Sequence, residues 1–163
     1  MTKRSATLET IKCGVLAGAA GGLAEMVWVS VYAALTGGDA AVLARGVTTA
    51  SGAAALLPSA TVAVGIAIHM VLAVALGLAL AVLWQALSSR APQSGLYAGT
   101  LAVLAAVWVT NFFVLLPAFS PEFVHLVPYS VSLMSKLLFG LAAAEVFRRN
   151  VLMGAQARSG AAA

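Results

Sequence analysis

Four apolar stretches, each about as long as a bilayer is thick, constrain this chain more than any other feature. A helix rises about 1.5 Å per residue, so roughly 20 apolar residues cross a hydrocarbon core about 30 Å thick. Residues 12–35, 59–87, 95–117 and 128–147 each meet that requirement. The chain is 62% hydrophobic and only 9% charged, with mean hydropathy +1.02. Soluble domains carry roughly 25% charged residues, so a chain this apolar has too little polar surface to face water. The sequence therefore predicts an all-α, polytopic integral membrane protein. Its four transmembrane helices form an antiparallel bundle within a single domain, residues 1–150, and residues 151–163 form a disordered cytoplasmic tail. The bilayer is its first partner.

Positive charge sets direction, because Lys and Arg accumulate on the cytoplasmic side. Lys3, Arg4 and Lys12 precede the first span, Arg90 lies between the second and third, and Arg148, Arg149 and Arg158 follow the fourth. All seven fall on one side, opposed by Arg45 alone. The expected topology is multi-pass in a plasma (inner) membrane of bacterial type, with both termini cytoplasmic. The net charge of +4 is thus a topology signal and not a nucleic-acid footprint. The apolar run after Lys12 continues through "MVWVSVYAAL", longer than a typical signal-peptide core, so the first span reads as a retained anchor. A lone Cys13 excludes an internal disulfide.

Between the first two spans, glycines break an apolar loop with Asp39 placed to cap a short interfacial helix. Between the last two, Ser120, Pro121 and Glu122 form a helix start that leads to His125, and Pro128 suits the first turn of the fourth span. "GVLAG" at 14 recurs as "GLYAG" at 95, and "LGLALAVLW" at 76 resembles "FGLAAAEVF" at 139. A duplicated helical hairpin would explain this, as would the shared Ala/Gly/Leu/Val composition of the spans.

Residues four apart share a helix face. Gly14, Gly18 and Gly22 form such a line, and Glu25 follows one turn on. Gly65, His69, Ala73 and Gly77 form a second, and Ser132, Lys136, Gly140 and Ala144 a third. Small residues let helices approach closely, so these faces should pack inward. Glu25, His69 and Lys136 are each on such a face, and Asn111 lies beside one. Counting from the span ends at 1.5 Å per residue places Glu25 and His69 about 15 Å deep, Lys136 about 12 Å and Asn111 about 9 Å. The expectation is a buried polar cluster of Glu25, His69, Asn111 and Lys136 in the outer half of the bilayer. A Glu25–Lys136 ion pair sits at its centre, and His125 and Tyr129 form a lid. Glu145, one turn before Arg148 and Arg149, reads as a surface ion pair.

No nucleotide loop or nucleophile–base pattern is present, so a non-enzymatic role is preferred. The favoured role is an accessory or assembly subunit of a larger membrane complex. The alternative is a proton-linked or small-solute carrier that acts as a homo-oligomer, since ionisable side chains inside a membrane mark pathways and histidine titrates near neutral pH. A third reading is haem or copper binding, with His69 and His125 as weak ligand candidates and Met26, Met70 and Met134 as thioethers. Neither HxxxH nor CxxCH spacing supports it.

Overall fold

A computed structural model describes residues 3–87 and 95–160, with side chains for 7–87 and 95–150. The loop that carries Arg90 lies outside the described residues. Helix α1 spans Lys3–Thr36, α2 Ala41–Ala50, α3 Thr61–Leu87, α4 Leu96–Thr110, α5 Leu116–Phe119 and α6 Tyr129–Gly160. A π-helical turn, Asn111–Leu115, joins α4 to α5, so the third span is continuous from Leu96 to Phe119. Four stretches are long and apolar enough to cross a membrane, and the fold is all-α. The described part of α6 continues to Gly160. Helix thus occupies residues 151–160, where a disordered tail was expected. Ala, Leu, Met, Gln and Arg there all favour helix.

The π-turn has a local cause. Pro117 lacks an N–H, and its ring would strike the carbonyl of residue 113 in a regular helix. The wider turn relieves this, with the Leu116 N–H donating to the Asn111 carbonyl five residues back.

Helix α1 is the centre of the structure. It packs along both α3 and α6, and α4 packs against α6 and meets α3 through Trp84. Gly14, Gly18 and Gly22 meet Leu78, Ala73–Val74 and Ala73–Met70 of α3 in turn, so the two helices run antiparallel. At their closest approach, a Cβ on Gly77 would strike the Gly18 backbone. Gly21, one position round from that ridge, faces the ring of Phe139 on α6, the largest fully buried side chain. The second hairpin packs differently. Gly140 meets the side chains of Leu101 and Leu104, and Gly95 has nothing within 4 Å. The sequence likeness between the hairpins therefore does not extend to a matching glycine seam.

Three indole N–H groups tie helices together at 3.0 Å each. Trp28 donates to the Val131 carbonyl, Trp84 to Thr100 Oγ1 and Trp108 to Ser132 Oγ. A donor at membrane depth must find an acceptor within the protein, and these three do so across α1–α6, α3–α4 and α4–α6.

On the side of the α1–α2 connection, here the loop face, α2 is clamped by two glycines. Gly65 of α3 lies so close to the Ala44 carbonyl that no Cβ fits, and Gly46 of α2 accepts Phe123 and Leu126. Thr48, fully buried, donates to the Thr61 carbonyl. Asp39 precedes α2, where its carboxylate accepts the Ala41 N–H at 2.8 Å and pairs with Arg45. The Arg45 hydrogen bond, and next the Ala41 N–H, hold the Asp39 carboxyl below its ordinary range.

The seam has a direct test. Gly77→Ala should lower stability by about 1–3 kcal/mol, as overpacking does, and Gly95→Ala should leave it unchanged. Thermal melts of both variants in bilayers check this.

Candidate functional site

Where α1, α2, α3 and α6 surround a common space in the loop-side half, a chamber of about 320 Å³ remains open. Met26 and Val29 of α1, Leu43 and Val47 of α2, Ile66 of α3 and Val131 of α6 give it apolar walls. Its polar lining comes chiefly from Glu25, His69, Ser135 and Lys136. A smaller space of about 220 Å³ adjoins it through Val29, Ala40, Leu43 and Val127, and Asp39 is among its lining residues.

Glu25 is the centre of the polar group and is only 4% exposed. Its Oε1 lies 2.7 Å from Lys136 Nζ and accepts a hydrogen bond from Ser135 Oγ at 3.2 Å. Its Oε2 lies 3.8 Å from His69 Nε2, beyond hydrogen-bond length. The His69 ring nitrogen instead approaches the Gly22 carbonyl at 3.2 Å. A carbonyl only accepts, so Nε2 carries the hydrogen, and in the neutral ring Nδ1 is an acceptor. Lys136 also stands over the Phe139 ring, 5.6 Å from its centroid, a cation–π contact.

This geometry follows from the small-residue faces. Gly18, Gly22 and Gly77 bring α1 against α3, which places the Gly22 carbonyl within reach of His69. Gly21 does the same for α6, one turn from Glu25. Once the helices are this close, Glu25 and Lys136 face one another with little water between them. A lone charge at mid-membrane costs about 2.5–3.5 kcal/mol on insertion scales. The pair cancels the net charge, and the Ser135 hydroxyl satisfies part of the remaining carboxylate demand.

Asn111 does not join this group, since it does not line the chamber. The inward stripe of the third span is Thr100, Leu104, Trp108 and Phe112, and Asn111, beside Phe112, is only half-buried. The third span packs chiefly on α6 rather than on α1. His125 and Tyr129 do not form a lid. The turn Pro121–His125 buries Val124 and leaves His125 exposed. Tyr129 is 46% exposed and stacks in an aromatic group with Trp108, Phe112 and Phe113. The loop-side lining comes instead from α2, Phe123 and Val127. Ser120 makes no side-chain cap to that turn.

Ser135 is a member that the sequence analysis passed over. It precedes Lys136 by one residue, and serine is too common in these spans to stand out. At the other end of α6, Glu145 pairs with Arg148 and Arg149 at 2.7 Å each. It also accepts from the Tyr97 hydroxyl of α4, so this surface pair doubles as a tie between helices.

Among the described residues no group of three His, Cys, Asp or Glu side chains is placed to hold a metal ion. His69 lines the chamber without His125, so a bis-imidazole site is not assembled. No family model matches the chain, and neither a curated protein nor a solved structure matches it.

A double-mutant cycle tests the ion pair. Glu25→Gln and Lys136→Met should each destabilise by about 3–5 kcal/mol, because each leaves a buried charge without its partner. The double variant should recover most of that loss. Additive losses in bilayer unfolding measurements would show that the two side chains do not interact.

Proposed function

We propose that this chain is a small, non-enzymatic integral membrane protein that binds a small solute inside the membrane, either to carry it or to hold it for a partner. The observation that carries this reading is the chamber itself, an apolar-walled space with a buried ion pair along one side. Ligand sites are typically concave, mostly apolar and equipped with a few convergent polar groups. A structural ion pair would need only contact between α1 and α6. It would not need α2 folded beside an open space, nor His69 half-exposed at its edge.

The Lys/Arg distribution supports cytoplasmic termini in a plasma membrane, which puts the chamber in the outer half and α2 at the outer surface. A carrier would work as an oligomer, because four helices leave little room for a path through the membrane. A second reading, an accessory subunit of a larger membrane complex, draws on the third span. It is the least covered of the four, with 11% of its most apolar window buried inside the chain. Phe113 and Val114 are exposed on it, and a partner helix could cover this face.

Two measurements test these readings. Alkaline phosphatase fused after Gly52 should be active in cells and inactive when fused at the C-terminus, and the reverse pattern would invert the topology. For binding, Val29→Trp should fill the chamber and weaken uptake of small apolar solutes roughly tenfold without loss of folding. Equal binding by both forms would place the solute elsewhere.

A further inference from the structure

We propose that the chamber takes a small monocarboxylic acid together with its proton, with the apolar body between α1, α2 and α3 and the carboxyl group on Lys136 and His69. This rests on the solute-binding reading above and names the chemical class it serves.

The polar groups left for a ligand are complementary to a carboxylic acid. Lys136 carries three N–H donors, and Glu25 is its one ion-pair partner among the described residues. The Lys136 side chain is 22% exposed and lines the chamber, and three donors exceed what one carboxylate oxygen takes. His69 also lines the chamber. Its Nε2 is turned to Gly22 and Glu25, which leaves Nδ1 as the ring's acceptor for a ligand. A donor and an acceptor that line one chamber match the C=O and O–H of one carboxyl group.

Charge explains why the proton comes too. Glu25 and Lys136 already cancel. A bare carboxylate would leave one uncompensated negative charge in the membrane interior, where such charges are costly. With its proton held between the ligand oxygen and Nδ1 of His69, the loaded site is neutral again. Among the described residues that line the chamber, Glu25, His69 and Lys136 are the ionisable ones. The α2 lining residues, Ala40, Ala41, Leu43, Ala44 and Val47, are all apolar, and Asp39 in the adjoining space is paired with Arg45.

Size narrows the class. A space of about 320 Å³ holds roughly ten waters at about 30 Å³ each, enough for a ligand of about ten non-hydrogen atoms. Benzoate fits this limit, and benzyl alcohol is its uncharged control. Calorimetry on the protein in lipid nanodiscs, run in buffers of different ionisation enthalpy, reads binding and proton uptake together. Wild type should bind benzoate with uptake of about one proton and bind benzyl alcohol roughly tenfold more weakly. Lys136→Met, or the Glu25→Gln/Lys136→Met double variant if the single one does not fold, should bind acid and alcohol alike. Benzoate binding without proton uptake, or benzyl alcohol binding as tightly as benzoate, would overturn the acid assignment and leave the chamber reading intact. If neither ligand bound to wild type, or if Val29→Trp bound both as well as wild type, the chamber reading would fall and the acid assignment with it.

Discussion

A carboxylate in hydrocarbon must be neutralised, and much of this structure can be read as the answer to that requirement at Glu25. The answer has two parts. Lys136 supplies the opposite charge at 2.7 Å, and the glycines of α1 supply the closeness that makes such a distance reachable. Without Gly21 against Phe139 and Gly18 against Gly77, the helices would stand further apart and the pair would open. Desolvation works against any buried pair, so the arrangement is better explained as a specification of register and site than as a source of net stability.

The glycine seams also create the site's empty space. Helix α1 packs closely on both α3 and α6, and the chamber lies beside these contacts on the loop side. Helix α2 folds back over the opening and is held there by Gly65 and Gly46. The polar floor and the apolar walls therefore adjoin the glycine contacts that hold α1, α3 and α6 together.

Periodicity made much of this legible in the sequence. Spacings of three and four put Glu25 on the glycine ridge and put Lys136 and His69 on matching faces at similar depth. What it could not supply was helix order. Asn111 has a suitable depth, yet its helix packs chiefly on α6 rather than on α1, and no spacing rule reports that. Ser135 was hidden for the opposite reason, as an ordinary residue made special by its neighbour. The Pro121–His125 turn was visible as a turn, but which side chain it buries depends on Trp108 and Phe112 beneath it. The indole bonds of Trp28, Trp84 and Trp108 likewise depend on partners distant in sequence.

The central claim is that Glu25 is an ionised carboxylate held by Lys136 inside the membrane. Infrared difference spectra of wild type against Glu25→Gln in bilayers at neutral pH test it most directly. The account predicts that the substitution removes an ionised-carboxylate band. In a Lys136→Met background, it predicts that the same substitution removes a protonated carboxylic acid band. A protonated carboxyl at Glu25 in the wild-type protein would contradict the account.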